Sequence, residues 1–224
     1  MARHVSTGTC SFCQATVSKA TMTRHLGECK PRQALSALPS DPGKSRRATL
    51  LHLVVEGYAP YWLHLEVRAD ATLKTLDAFL RALWLECCGH MSQFFIDGET
   101  YVSSAARELS ARSMNVPLGK LLRPEMACAY EYDFGTTTEL RLRVVAERDG
   151  AWQREAVQVL ARNNPPVIPC EACGKEATQV CSQCIYEGQG WLCDACVPAH
   201  ACSAMLRGSK VVGKVSRARR AQTS

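Results

Sequence analysis

The sequence predicts an α+β protein in which one sheet domain lies between two small cysteine-rich modules. Several short segments in the middle of the chain alternate apolar with polar residues, which is the pattern of strands. One segment there has the three- and four-residue spacing of a helix. Most of the thirteen cysteines lie instead near the two ends of the 224 residues, several of them in pairs separated by two residues. The ends are therefore predicted to fold differently from the middle.

The first cysteine-rich module has the ligand spacing of a zinc site. Its four candidate ligands are Cys10, Cys13, His25 and Cys29. Four thiolate or imidazole groups complete the tetrahedral coordination of a structural zinc. Val17 and Met22 fall where a ββα finger needs its two core side chains, and a module this small depends on metal for its folding energy. We predict a zinc finger over residues 1–30, and the proline-rich run that follows predicts a linker over residues 31–48.

The central region, residues 49–166, opens with a predicted β-hairpin. The segments LLHLVVE and WLHLEVR alternate apolar with polar residues, and the turn between them contains Gly57 and Pro60. One set of apolar side chains is thereby placed on the buried face: Leu51, Leu53, Val55, Leu63, Leu65 and Val67. His64 and Glu66 fall on the other face, which is predicted to be polar.

An amphipathic helix and a second hairpin follow. Leucines recur at helical spacing at Leu73, Leu76, Leu80 and Leu83. Thr72 is the predicted N-cap of this helix, and Gly89 is the predicted stop. In FFIDGETYV, the pair Asp97-Gly98 is a strong signal for a two-residue turn. VPLGKLL predicts one short helical turn, and ACAYEYDF, ELRLRVVAE and EAVQVLA predict three further strands.

The order of these elements resembles a β-grasp, the ubiquitin-like arrangement in which a mixed sheet wraps one helix. The predicted fold class is therefore α+β, with a central β-grasp mixed sheet, one main helix and two small zinc-stabilised modules.

The second cysteine-rich module, residues 167–202, offers eight metal ligands. They are Cys170, Cys173, Cys181, Cys184, Cys193, Cys196, His200 and Cys202. Eight ligands divide evenly into two closed tetrahedral sites, whereas a catalytic zinc usually keeps a position for water. The spacing allows two pairings: the sites interleave along the chain, or the first four and the last four ligands form separate sites. With the finger, the sequence predicts three structural zinc ions.

Charge is divided unevenly along the chain. Residues 1–48 carry eight Lys/Arg and two Asp/Glu, and residues 203–224 carry six and none, whereas the region between them is slightly acidic. The final segment lacks apolar periodicity and predicts a disordered basic tail. Such arms favour contact with phosphate groups. The candidate nucleic-acid contacts are Lys19, Arg24, Lys30, Arg217, Arg219 and Arg220.

The central stretch also resembles a known family. TLKTLDAFLRALW, the FFIDGETYV hairpin, VPLGKLL and above all YEYDFGTTTEL are similar to the plasmid pRiA4b ORF-3-like family, which includes passenger proteins of insertion elements. Tyr130, Tyr132 and Asp133 are among the most specific marks of this resemblance. Members often show Trp and His after the YDFG stretch, where this chain has Thr137 and Thr138. The resemblance implies an association with mobile elements or plasmids.

The outer modules resemble known zinc modules as well. CSFCQATVSKATMTRHLGEC is similar to a C2HC finger, and residues 170–202 resemble cross-brace modules of the B-box and MYND kind. The second resemblance implies interleaved sites. One zinc would be held by Cys170, Cys173, Cys193 and Cys196, and the other by Cys181, Cys184, His200 and Cys202.

Two apparent catalytic motifs are interpreted as chance matches. His64-Leu65-Glu66 and Pro169-Cys170-Glu171-Ala172-Cys173 spell the two pieces of a zinc deaminase signature, but about a hundred residues separate them. Asp133-Phe134-Gly135 matches the magnesium-binding tripeptide of protein kinases, yet the glycine-rich loop and catalytic-loop sequence of that class are absent. The second motif is predicted to shape the end of a strand.

The combined prediction is a non-enzymatic zinc protein that binds nucleic acid, associated with a mobile element or plasmid. The alternative is a protein-interaction adaptor that uses the β-grasp domain and the zinc modules. No small-molecule substrate is evident from the motifs. The first residues contain no apolar segment of signal-peptide type, and no run approaches the roughly 20 apolar residues of a membrane span, so we expect a cytoplasmic protein without a membrane partner.

Overall fold

The strands predicted for the central region join into one sheet that also takes up the N-terminal hairpin. The computed structural model describes residues 6–37, 46–58, 60–85, 89–103, 111–135, 137–152, 155–181, 183–187, 189–202 and 206–208. The chain divides into two units, Met1–Asn164 and Pro165–Ser224.

The first unit begins with a hairpin and two helices and continues into the sheet domain. Its N-terminal elements are β1 (Thr7–Cys10), β2 (Thr16–Ser18), α1 (Lys19–Glu28) and α2 (Lys30–Ala37). The sheet domain contains β3 (Arg46–Glu56), β4 (Trp62–Arg68), α3 (Leu73–Leu80), β5 (Ser92–Ile96), β6 (Glu99–Val102), β7 (Arg112–Ser113), β8 (Ala127–Tyr132), β9 (Thr138–Trp152) and β10 (Val157–Asn163). A π-helical turn, Arg81–Leu85, extends α3, and a one-turn 3-10 helix spans Leu118–Lys120.

The sheet has ten strands in the order β2-β1-β10-β4-β3-β9-β8-β5-β6-β7. Every neighbouring pair is antiparallel except β6 and β7, which pair in parallel through Tyr101 and Val102. The predicted α+β class with a mixed sheet is confirmed. The finer β-grasp prediction is not confirmed, because the sheet is larger than the predicted one and its longest pairing, β3 with β9, is antiparallel.

The inner face of the sheet carries Leu51, Leu53 and Leu65 and packs against α3. Leu73, Leu76 and Leu80 of this helix are fully buried, as their spacing predicts. Thr72 caps the helix, since its hydroxyl accepts a hydrogen bond from the Thr75 N–H at 3.2 Å. The second hairpin turns at Asp97 and Gly98 with φ of 51° and 78°, which is the left-handed geometry that this pair favours.

The outer face carries His52, Val54 and His64 and is also buried over β3, β4 and β10. The finger module, formed by β1, β2 and α1, lies on it. Met22 and Leu26 of α1 pack with Trp62, Leu160 and Ala161 of the sheet. Strand β1 pairs with β10 through Gly8, Thr9 and Cys10, so the finger is continuous with the sheet rather than separate from it.

The segment predicted as a linker differs from that prediction. Residues 30–37 form α2, and β3 begins at Arg46, so only the residues between them lie outside the described part of this segment. Pro31 stands at the second position of α2, where the missing N–H of proline costs no helical hydrogen bond. Arg32 donates to the Leu26 carbonyl and to Glu66 of β4, which ties α2 to both the finger and the sheet.

The second unit contains a three-stranded sheet in the order β12-β11-β13. Its strands are β11 (Gln179–Cys181), β12 (Trp191–Leu192) and β13 (Leu206–Gly208), with 3-10 turns at Cys184–Glu187 and Val197–Ala199. The segment predicted as a disordered basic tail, residues 203–224, therefore contains a strand, because β13 pairs with β11. The rest of the tail, residues 209–224, lies outside the described residues. Within the described ranges, no helix combines the length and apolar character needed to cross a membrane.

Candidate metal centres

The finger module gathers its four predicted ligands at one point. Cys10 ends β1, Cys13 lies in the tight turn after it, and His25 lies in the last turns of α1. Gln14, which follows Cys13, has a φ of 60° and reverses the chain toward β2. Cys29 lies between α1 and α2, so the junction of the two helices completes the set.

The distances within this cluster fit one tetrahedral ion. The Sγ atoms of Cys10 and Cys29 are 3.9 Å apart, and Cys13 Sγ lies 3.3 Å from His25 Nε2. A tetrahedron of ligands about 2.0–2.3 Å from its centre has edges of about 3.3–3.8 Å. The sulfur separation is far longer than the roughly 2.05 Å of a disulfide. This cluster could therefore hold a metal ion, and its donor set suits zinc.

The second unit contains two further clusters, and their ligands interleave along the chain. Within each cluster, all ligand atoms lie within 4.8 Å of one another. The first consists of Cys170, Cys173, Cys193 and Cys196, and the second of Cys181, Cys184, His200 and Cys202. Of the two pairings that the spacing allows, the structure has the cross-brace arrangement. Each cluster could hold one metal ion.

Short distances and tight turns define these two clusters. Cys173 and Cys193 are 3.6 Å apart at their Sγ atoms, and Cys184 Sγ lies 3.5 Å from His200 Nε2. Gly190 approaches the second cluster closely, because a Cβ atom there would lie 3.0 Å from that of Cys181 and 3.1 Å from that of Cys184. Its φ of 105° also suits glycine alone.

Hydrogen bonding within the first of these clusters shifts the pKa values of two of its thiols in opposite directions. Backbone hydrogen bonding, first from Cys193, lowers the pKa of Cys170 to about 6 and favours its thiolate. Hydrogen bonding with Cys173 and Cys193 instead raises the pKa of Cys196 to about 12. Four adjacent thiols cannot all ionise without a compensating charge, and a divalent metal ion supplies it while displacing the protons.

The predicted nucleic-acid residues are divided between the finger and the tail. Lys19 begins α1, and its Nζ pairs with Glu56 Oε1 at 3.1 Å. Arg24 on α1 and Lys30 at the start of α2 are exposed. Arg217, Arg219 and Arg220 lie outside the described residues.

A charged cluster that the sequence analysis placed on a polar face is buried beneath the finger. Glu66 accepts two hydrogen bonds from Arg148, at 2.9 and 2.7 Å, and one from Arg32 at 2.9 Å. Beside it, the Nε2 atom of His52 and the Nδ1 atom of His64 are 2.9 Å apart. Burial lowers the pKa of His52 to about 4 and that of His64 to about 3, so both rings are neutral near pH 7. The predicted polar face is wrong here because the finger module and α2 cover it.

The same geometry argues against the deaminase motif. The Nδ1 atom of His64 contacts His52 and the Glu66 carboxylate pairs with two arginines, while Cys170 and Cys173 belong to a four-cysteine cluster. Each piece of the motif therefore has partners other than the opposite piece.

The YDFG stretch ends a strand, as predicted. Strand β8 stops at Tyr132, and Asp133 follows with a φ of 61°. The Asp133 carboxylate accepts a hydrogen bond from the Gly135 N–H at 3.1 Å and lies 3.5 Å from His90 Nδ1. The chain therefore reverses direction at Asp133, and Gly135 contributes its backbone N–H to this turn.

Tyr130, two residues before the end of β8, points into the core and is hydrogen-bonded to α3. Its hydroxyl donates to Asp77 Oδ1 at 2.8 Å, and Ser92 Oγ donates to the same oxygen at 2.6 Å. Burial and the nearby Asp77 charge raise the pKa of Tyr130, which keeps it a hydrogen-bond donor. This network joins the helix to β5 and β8.

An exposed surface that the sequence analysis missed lies on the outer face, beyond the part that the finger covers. We call it the open face. Cross-strand pairing aligns Arg141 of β9, Ala129 of β8 and Phe95 of β5, and places Arg143 opposite Ala127. All five side chains are exposed. The signal for it was present in the alternation of ELRLRVV, whose two arginines both face outward.

The fold and its clusters define a class of protein: an α+β protein with three sets of cysteine and histidine ligands, each arranged as a metal site. Residues 50–177 match the family described as plasmid pRiA4b ORF-3-like protein, and this stretch spans more than half of the chain. The chain belongs to that family.

One solved structure similar to the chain is that of a protein of unknown function from Methanosarcina mazei Go1. The two are 17% identical with a TM-score of 0.43, and the similarity covers 57% of this chain and 75% of that chain. No curated protein matches the chain.

Proposed function

We propose that this protein binds nucleic acid without catalysing a reaction, that three structural zinc ions fold its small modules, and that it acts in a plasmid or mobile-element context. The description of its family supports the last point. The four-ligand clusters support the structural role of zinc, because a closed tetrahedral site leaves no position for substrate.

The open face is the observation that carries this proposal. Arg141 and Arg143 stand along one side of it, and Phe95 projects from the other with 38% of its surface exposed. Ala127 and Ala129 lie between them in the cross-strand register, and their small side chains leave room for a nucleic-acid strand.

This combination suits a single strand more than a duplex. Bases stack on aromatic rings, at about 1–3 kcal/mol per base, while arginines follow the phosphates. Glu131 and Glu139 stand opposite each other in the next cross-strand row and bound the surface on that side with negative charge. Phosphate contacts are therefore expected at Arg141 and Arg143.

The finger and the tail carry further cationic side chains. Arg24 and Lys30 are exposed on α1 and α2, and Arg217, Arg219 and Arg220 add charge from the C-terminal segment. Contacts of this kind are sequence-independent and weaken with salt through counterion release. We expect modest affinity and little sequence preference.

Fluorescence anisotropy with labelled single-stranded and duplex oligonucleotides tests the proposal. Phe95→Ala is expected to weaken single-strand binding about 5- to 150-fold, corresponding to one lost stacking contact. Replacing Arg141 and Arg143 with glutamine should weaken binding and lower its salt dependence. Arg112→Gln is the matched control, because Arg112 is exposed but already paired with Glu99 at 2.8 Å. Absence of binding at low salt would refute the nucleic-acid proposal, and equal binding by all variants would show that the open face does not carry it.

The alternative is a protein-interaction adaptor that uses the sheet domain, predicted as a β-grasp, and the zinc modules. The exposed apolar side chains of Phe95, Met91 and Phe134 favour it. The adaptor function is correct if two results are obtained together. The wild-type protein binds no nucleic acid, and a purified protein partner binds the wild type but not the Phe95→Ala variant.

A further inference from the structure

A cavity of about 200 Å³ lies between α1 and the outer face of the sheet. Thr23 and Gly27 of α1 form one side, and Val145 and Ala146 of β9 form the opposite side. The polar side chains that line it are those of Thr23, Arg32, His52, Glu66 and Arg148. This volume is below the roughly 300 Å³ at which pockets for drug-sized ligands begin, so only a small ligand fits.

The charges around the cavity favour an anion. Two arginines, Arg32 and Arg148, face a single carboxylate, Glu66. A third arginine, Arg143, lies opposite Val54, close to His52 in the sheet. In addition to burial, the positive charges of the three arginines oppose protonation of His52 and lower its pKa. The electrostatic potential at this position is therefore positive although Glu66 is adjacent.

Polar donors remain available toward the cavity after the internal contacts are made. The Nε2 atom of His52 is taken by His64, and among the described residues nothing is hydrogen-bonded to His52 Nδ1, although the ring is only 7% exposed. Arg148 uses Nε and Nη2 for Glu66, and its Nη1 lies over Gly150. Thr23 lines the cavity on the α1 side and carries a hydroxyl group.

We propose that this cavity is a binding site for a small oxyanion of the phosphate or carboxylate kind, held by His52, Thr23 and Arg148. Such an anion selects the tautomer in which His52 Nδ1 carries the proton and Nε2 accepts from His64. A negatively charged acceptor forms a stronger hydrogen bond with the His52 N–H than a neutral acceptor does. The site is separate from the open face and holds one group rather than a nucleic-acid strand.

Side-chain NMR of the full-length, zinc-loaded protein tests the site. The histidine ring signals are followed near pH 7 while inorganic phosphate, and in a second arm acetate, is added at constant ionic strength. We expect a saturable shift of the His52 and His64 signals, with the exposed His90 as the internal control. Saturation by phosphate alone identifies a tetrahedral oxyanion, and saturation by acetate identifies a carboxylate.

Two variants locate the binding. Thr23→Val and Arg148→Lys should each weaken binding about tenfold, as expected for hydrogen bonds to a charged group. Arg141→Lys, on the open face, should leave it unchanged. If the His52 signals of the wild-type protein do not move, or move linearly without saturating, the site does not exist. If these signals saturate at the same anion concentration in Thr23→Val and Arg148→Lys as in the wild type, the anion binds elsewhere. The wild-type titration decides the question even where a variant loses zinc.

Discussion

Gly8 shows how one residue allows the finger to pack on the sheet. A Cβ atom at this position would overlap the Arg162 carbonyl oxygen and the ring of Trp62, so β1 can approach β10 only with glycine. We expect Gly8→Ala to lower the free energy of unfolding by about 1–3 kcal/mol, the usual cost of overpacking.

Gly27 provides the matched control for that prediction. A Cβ atom there meets nothing within 4 Å, and alanine is the better helix former. Gly27→Ala in α1 should therefore raise stability by up to about 1 kcal/mol. Urea unfolding compares the two variants, and equal effects would contradict the close approach at Gly8.

The buried histidine pair makes stability depend on pH. In the folded protein the pKa values of His52 and His64 are lowered to about 4 and about 3, from 6.5 in the unfolded chain. Between those values the unfolded state binds more protons, so stability is complete above about pH 6.5 and falls as the pH is lowered toward 4.

Replacing both histidines with glutamine should flatten this dependence. His90→Gln, at an exposed position, should leave it as in the wild type. The measurement is the free energy of unfolding from urea titrations between about pH 7 and pH 5, with zinc content checked at each pH. Parallel curves for the wild type and the double variant would show that the pair does not titrate as described.

At the scale of elements, Glu66 joins three parts of the fold. It lies on β4, and its carboxylate receives Arg148 from β9 and Arg32 from α2. Glu66→Gln should destabilise the first unit by about 3–5 kcal/mol, because it leaves partly buried guanidinium groups without their counter-charge.

Glu99→Gln is the comparison, since Glu99 pairs with Arg112 at the surface and should contribute less than about 1 kcal/mol. Thermal unfolding of the two variants measures the difference. A Glu66→Gln protein as stable as Glu99→Gln would mean that the cluster does not hold the finger and α2 on the sheet.

The elements themselves were well predicted from local pattern. The hairpin of LLHLVVE with WLHLEVR, the Thr72 cap and the Asp97-Gly98 turn depend on neighbours in sequence, and the structure has each of them. The packing of the finger on the outer face was not predicted, because alternation identifies one buried face and gives no sign that another module covers the second. His64 and Glu66 were misplaced for that reason. The open face was overlooked because alternation marks Arg141 and Arg143 as outward-facing but does not distinguish a binding surface from an ordinary solvated face.

At the scale of the whole molecule, we expect the two units to depend on metal to different degrees. The sheet domain has a large apolar core around α3 and β3–β9. Among the described residues of the second unit, the larger apolar cluster consists of Ala177, Val180, Ile185 and Trp191. Such a core is too small to fold a module of this length, so we expect its stability to come from bound metal ions.

Chelation should therefore unfold the second unit first. When zinc is removed from the full-length protein, the NMR signals of residues 165–202 should collapse to unfolded positions, while those of Leu53, Leu65 and Leu76 keep their native shifts. Lowering the pH should release the same ions, because protons compete for the thiolates. Retention of native signals in the second unit without metal would contradict this division.

The metal content of the intact protein, measured by native mass spectrometry with elemental analysis, decides whether the three clusters are metal sites. Their geometry predicts three zinc ions per chain, with one lost when Cys29 is replaced by alanine. A folded protein that carries no zinc when zinc is supplied in excess would show that the three clusters are not metal centres.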